Sequence, residues 1–246
     1  MIAVGIAPPS LLSRVDPRVR LLCVLAASAW VAATPRLLPL LALAAGSLLL
    51  ALVARVPARV LVRRLLALNA FMAMVLVTLP FAPGGDVIGQ LAGASIYSDG
   101  LMHALRIMLA GHALVLLFVA LVATMEPVTL AHALLHLKVP DKLVRILMFA
   151  IRYIDVLHDT RLRRERAMRA RGFTARCDAH TVRMTAHLVG ALVGDSLARA
   201  QRIEQAMRAR AWRGGFPMLH HFHLRATDLL FGLMFGVSLL SIGAVT

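Results

Sequence analysis

Glu165-Arg-Ala-Met-Arg-Ala-Arg171 runs into Gly172-Phe173, and further along the chain Glu204-Gln-Ala-Met-Arg-Ala-Arg210 runs into Ala211-Trp212. Six of the seven positions from glutamate to final arginine match, Arg166 against Gln205 being the exception. The first copy ends a run in which Arg161, Arg163, Arg164, Arg166, Arg169 and Arg171 fall within three turns of helix. Each arginine would cost about 3 kcal/mol near a bilayer centre, so this stretch is aqueous whatever surrounds it. Gly172 supplies the left-handed residue that commonly ends a helix. A second helix is expected from about Asp178 to Arg210, apolar only between Arg183 and Asp195 and so too short to cross, with Gly214, Gly215 and Pro217 ending it.

Inside each copy the two arginines after methionine are two residues apart, so on a helix they point to nearly opposite sides. Arg171 and Arg210 fall in the last turn, where the helix dipole favours a cation by some tenths of a kcal/mol. One reading is therefore a pair of cationic helix ends on a wet surface. The other is docking. The alanines keep each helix end thin enough to enter a groove, and arginine makes paired, charge-assisted bonds to carboxylates that lysine cannot reproduce. Two copies imply two similar acidic receptors.

The surroundings of this stretch are of a different kind. Of the 246 residues 60% are hydrophobic, yet the formal charge is +15. A soluble domain is nearer half apolar, so the excess calls for a bilayer. Basic and greasy parts are separate: Arg106 is the only Lys or Arg between Arg64 and Lys138, while Lys138 to Arg225 is crowded with them. Five stretches approach the roughly 20 residues of a crossing helix: Val19–Thr34, Leu37–Ala54, Leu65–Phe81, Ile107–Thr124 and Ala226–Val245. Pro8-Pro9, with Arg14, Arg18 and Arg20 after it, does not have the layout of a cleaved signal peptide, so the first helix is read as retained.

Loop charges orient these spans, because Lys and Arg stay cytoplasmic. Arg14, Arg18 and Arg20 put the N-terminus inside; Arg55, Arg59, Arg63 and Arg64 put the second connection on the same side. Residues 83 to 103 carry Asp86 and Asp99 but no Lys or Arg and belong outside; only Arg36 lies against the trend. The expected fold is an all-α integral membrane protein of about five transmembrane helices, multi-pass in the cell inner membrane. Long cytoplasmic amphipathic helices come between the fourth and fifth spans. The regions are 1–125 with four spans, 126–225 cytoplasmic with two arginine-bearing helix ends, and 226–246 as the last span.

Within the cytoplasmic region, Pro127 suits the first turn of a short helix through Leu137, and Val139-Pro140-Asp141 starts the next. There Leu143, Ile146, Leu147, Ala150, Ile154 and Leu157 share a face opposite Lys142, Arg145, Arg152, Asp155 and Asp159, the pattern of a helix against something apolar.

Other candidates are weaker. Asn69 and His112 read as hydrogen bonds between neighbouring spans or as functional polar groups. His220-His221-Phe222-His223 invites a metal, but without an acidic or cysteine partner it reads as an interfacial patch. Cys23 and Cys177 have no metal-site or disulfide-framework spacing, and no phosphate-binding glycine loop is present.

Several motifs together resemble a family, the transmembrane T component of energy-coupling-factor transporters, especially the cobalt and nickel type. Arg14-Val-Asp-Pro-Arg-Val-Arg20-Leu-Leu is similar to that family's lead into its first span, Tyr97-Ser-Asp-Gly-Leu101 to the lead into its fourth, and Ile151-Arg-Tyr-Ile154 to its cytoplasmic helix. Ala170-Arg171-Gly172-Phe173 resembles the Ala-Arg-Gly signature ending the first of two coupling helices; Ala209-Arg210 lacks the glycine directly after it. The resemblance implies a non-catalytic coupling subunit with no cofactor of its own, ATP being bound by partners. Two ABC ATPase subunits would each take one helix end at Ala170, Arg171 and Gly172 or at Ala209 and Arg210, with Arg169 and Arg208 in support. A separate membrane subunit would bind the substrate, cobalt or nickel, a vitamin through a shared module remaining open. The alternative is a membrane-anchored binder of nucleic acid or anionic lipid, for which charge speaks but stacking aromatics are scarce. Nucleic acid is not an expected partner, and a stand-alone channel is disfavoured by the few ionisable groups in the spans.

Overall fold

The computed structural model describes residues 12, 15–34, 36–81, 84–91, 94–212 and 226–244, and the chain is an all-α membrane protein with one small hairpin. It divides into two compact units: residues 139–221, and residues 3–138 together with 222–246. This division differs from the 1–125, 126–225, 226–246 partition of the sequence, because the short helix after residue 126 packs with the membrane helices.

The membrane unit holds α1 (Pro17–Ala33), α2 (Leu37–Val53), α3 (Ala58–Thr78), α4 (Ser98–Leu121), α5 (Pro127–His136) and α8 (Ala226–Ala244). Asp16 starts α1 by accepting from the Arg18 N–H at 2.8 Å, with Pro17 at the first helical position, where its missing N–H costs nothing. α4 is the centre. Ala113, Leu117, Ala120 and Leu121 are essentially inaccessible and share one buried cluster with Leu40, Leu43 and Ala51 of α2, Cys23 and Ala27 of α1 and Leu239 of α8. The small residues among them let backbones approach closely, which is how helices associate in lipid, where the solvent offers no hydrophobic driving force.

α3 extended through the one-turn 3-10 helix Leu79–Phe81, α4, and α8 over Ala226–Gly243 are long and apolar enough to cross a membrane. α1 and α2 follow the expected stretches but have 17 residues each, about 25 Å at 1.5 Å per residue and at the short end for a span. α3 begins seven residues before the expected span, so Arg59, Arg63 and Arg64 lie in its first two turns and not in a connection. Likewise α4 begins at Ser98, nine residues early, placing Arg106 within the helix. Neither Asn69 nor His112 bridges helices as expected: His112 Nδ1 lies 2.7 Å from Met108 O of its own helix, and Asn69 is exposed on α3.

An antiparallel hairpin, β1 (Val87–Leu91) with β2 (Ala94–Tyr97), occupies the segment before α4, pairing Gly89 with Ile96 and Leu91 with Ala94. It was not expected from the sequence.

The second unit is built on α6 (Asp141–Ala170, 30 residues) and α7 (Ala179–Ala209, 31 residues). Arg164 on α6 and Asp195 on α7 tie the two helices at 2.5 Å, an exposed pair that fixes register more than it stabilises. α7 starts at Asp178, whose carboxylate accepts from the Thr181 N–H at 2.8 Å. The Thr181 hydroxyl and N–H hold the Asp178 carboxyl below its usual range. A depressed folded value means that the cap is in place above the ordinary carboxylate pKa and is lost as pH falls through the folded one. Acid titration followed at the Thr181 amide resonance is expected to show first-turn fraying, and Asp178→Asn, which keeps an acceptor, is expected to abolish that pH dependence.

Among the described residues, much of the apolar stripe of α6 is uncovered. Leu143, Ile146 and Ile154 are 58%, 65% and 54% exposed, and on α7 Val182, Val193 and Leu197 are as open. Stripes this exposed on an aqueous segment mark contact surfaces.

Candidate docking site at two helix ends

The repeated phrase encodes a repeated structure. At the end of α6, Arg171 caps with φ −89° and ψ 15°; at the end of α7, Arg210 caps with φ −91° and ψ 16°. Beyond each cap comes one left-handed residue, Gly172 at φ 83° and Ala211 at φ 53°. The Gly172 N–H donates to Arg169 O and the Ala211 N–H to Arg208 O, both at 3.0 Å; the Phe173 N–H donates to Met168 O and the Trp212 N–H to Met207 O, both at 3.1 Å. This is the Schellman closure, made twice bond for bond.

The second helix therefore does not run on toward Gly214 and Gly215, which with Pro217 and His220 to His223 lie outside the described residues. It ends at Ala209 with Arg210 as its cap, because the same two backbone bonds close around Ala211 without a glycine. An L-residue with a Cβ in this conformation costs roughly 1–2 kcal/mol. Ala211→Gly is accordingly expected to gain about 1 kcal/mol of local stability and Gly172→Ala to lose about as much, read as slower exchange of the Trp212 amide and faster exchange of the Phe173 amide.

At both ends the glutamate lies toward the arginine four residues on, closely at one end and at the limit of pairing at the other. Glu204 accepts from Arg208 at 2.5 Å; Glu165 accepts from Arg161 at 2.7 Å and has Arg169 at 4.0 Å. The outermost arginines differ from these. Arg171 and Arg210 are exposed, and among the described residues neither has a carboxylate within ion-pair distance. Ala170, Gly172 and Ala209 are exposed around them, so each tip offers a five-donor guanidinium on a slender support. All seven predicted site residues thus fall at the two tips, three or four to each.

Sequence reading missed the aromatic that follows each left-handed residue. Phe173 and Met168 line one apolar groove of about 850 Å³ with Leu188 and Leu192 of α7. Met207 lines another of about 420 Å³ with Phe149 and Tyr153 of α6. The recurrence of an aromatic one residue past Gly172 and Ala211 was the available signal. Among the described residues no group of three or more His, Cys, Asp or Glu is placed to hold a metal ion.

A family model described as CbiQ, cobalt transport protein, matches residues 9–221. The chain belongs to that family. The CbiQ match takes in α1 to α7 and both arginine tips, and ends before α8. None of the curated proteins compared matches the chain. Membership makes this a cobalt transport protein of the membrane, a transporter component.

Proposed function

We propose that this CbiQ-family chain is the coupling subunit of an energy-coupling-factor ABC importer in the cell inner membrane, with its N-terminus cytoplasmic. Two ABC ATPase subunits each receive one helix tip, with Arg171 and Arg210 reaching acidic residues in their grooves, and Arg169 and Arg208 in support. A separate membrane subunit binds the substrate, cobalt in the first instance and nickel by close chemical kinship. ATP is bound by the ATPases and not by this chain.

The observation that carries this reading is the pair of congruent helix ends whose outermost arginines make no ion pair among the described residues. A surface built only for solubility has no reason to repeat a termination bond for bond, least of all at an alanine where the conformation is strained. The uncovered stripes of α6 and α7 support a second, apolar partner, in keeping with a membrane subunit.

The experiment is co-expression of the chain with the ATPases and the substrate-binding subunit in a host without cobalt uptake. ATP-dependent cobalt(II) accumulation and co-purification of the ATPases are expected only when the chain is present. Retention of nucleic acid or anionic vesicles that weakens steeply with salt, in place of ATPase capture, would favour the polyanion reading. Orientation is checked on the native thiols: Cys177 is exposed and Cys23 buried. A membrane-impermeant maleimide is expected to label inside-out vesicles at Cys177 and to leave right-side-out cells unlabelled.

A further inference from the structure

After α4 the chain passes through α5, still within the membrane unit, then carries α6 and α7 and returns at α8. Both the exit from α4 and the return are fastened to one short stretch at the start of α1. At the exit from α4, Arg20 Nη2 donates to Thr124 Oγ1, and the Thr124 hydroxyl donates back to Ala120 O of α4 at 2.9 Å. At the return, the Asp16 backbone N–H donates to Asp228 Oδ1 at 3.0 Å, in the first turn of α8. Between these points α5 packs on α1 as well.

The chemistry of this junction is costly. Asp16, Arg20 and Asp228 are 6%, 3% and 2% exposed, the only buried charged residues among those described. Arg20 Nε has no hydrogen-bond partner among the described residues. Buried charge is stabilised less than an apolar cluster of the same volume would be; what it supplies is a fixed, directional geometry. α8 is held to α1 beyond the junction too: a Cβ at Gly232 would meet Val19 Cγ1 at 3.2 Å, and one at Gly243 would meet Trp30 Nε1 at 3.4 Å. α1 and α8 are therefore packed together from their first turns to their last.

We propose that Asp16, Arg20, Thr124 and Asp228 form a clasp that joins both attachment points of the α6–α7 segment to α1, so that its displacement reaches the membrane helices as one movement. Arg20 and Thr124 are then positioning residues for the coupling of ATP hydrolysis to transport. Without the clasp the two attachment points shift independently, and motion of the segment is absorbed as local loosening at the ends of α4 and α8. Coupling needs a contiguous physical connection, and this is one. The inference rests on the coupling-subunit reading.

The test uses the full complex, with its ATPases and substrate-binding subunit, in proteoliposomes, measuring ATP hydrolysis and cobalt(II) uptake on the same sample. Thr124→Val keeps the volume and removes the acceptor. It is expected to retain the ATPases and their hydrolysis while cobalt moved per ATP falls about fivefold or more. Arg20→Lys, which still donates to Thr124, is expected to keep most of the ratio, and Arg20→Leu to lose it. An unchanged ratio in Thr124→Val, or uptake and hydrolysis falling in step with the amount of folded complex, overturns the clasp. A wild-type chain that recruits no ATPase overturns the coupling-subunit reading first, and the clasp with it.

Discussion

Reversing both tips, Arg171→Glu with Arg210→Glu, is expected to abolish capture of the ATPases while leaving the chain folded in the membrane. Each arginine is exposed and makes no ion pair among the described residues, so its replacement removes nothing that holds α6 or α7 together. In a groove lined by carboxylates, by contrast, a paired arginine is the kind of residue whose truncation costs about 2–4 kcal/mol, and reversal adds repulsion. Two such losses amount to at least about 10³-fold in affinity, enough to empty the complex at ordinary concentrations. Single reversals are expected to weaken capture without abolishing it. Co-purification of the double variant with undiminished ATPase and full cobalt uptake would refute the docking assignment. The companion change Arg169→Ala is expected to do less, because that side chain is already drawn toward Glu165.

Gly100→Ala is expected to be the most damaging single-methyl change in the membrane unit. α4 begins against the turn that closes α3, and Gly100 is buried there. A Cβ at this position would lie 2.3 Å from Leu79 O and 3.1 Å from Pro80 Cα. Both obstacles are backbone and cannot swing aside, so α4 must slide or the Leu79–Phe81 turn must open. Overpacking of this kind costs about 1–3 kcal/mol or more, and here it falls on the helix around which the unit is packed. Gly111→Ala is the control: its Cβ would meet Met72 Cε at 3.1 Å, the flexible end of a long side chain that can move. Thermal melting in detergent is expected to show a clear fall for the first variant and little for the second. Equal melting temperatures would mean that α4 does not press on that turn.

The parts legible in the sequence were those where one physical signal dominated. Six arginines in three turns cannot lie in hydrocarbon, which located α6, and the apolar stretches between charge clusters located the membrane helices to within a few residues at their inner cores. Helix starts were less legible. Arg59, Arg63, Arg64 and Arg106 read as loop or boundary because charge was taken as the mark of a connection, yet long side chains near a helix end can carry their charge to the interface while the backbone stays helical. The hairpin had too little to announce it, since Gly89 interrupts the first strand and the second has only four residues, leaving no run of alternating apolar residues.

At the two helix tips the sequence displayed the repeat but not its geometry. Ala211 has no intrinsic preference for the left-handed region, and only the bonds from its own N–H and that of Trp212 reveal that it substitutes for Gly172. Arg20 shows the same limit from another side. Its charge served as a topological marker, while its burial against Thr124 depends on two helices a hundred residues apart in the chain meeting in space.

Each of the two tips is expected to engage a motor subunit. The most direct measurement is site-specific photo-crosslinking in native membranes, with a benzophenone side chain at Ala170 in one variant and Ala209 in another, next to each arginine. Covalent capture of an ABC ATPase subunit from both positions, abolished when the neighbouring Arg171 or Arg210 is glutamate, is the predicted result. Capture from neither position, with the complex otherwise intact, would contradict it.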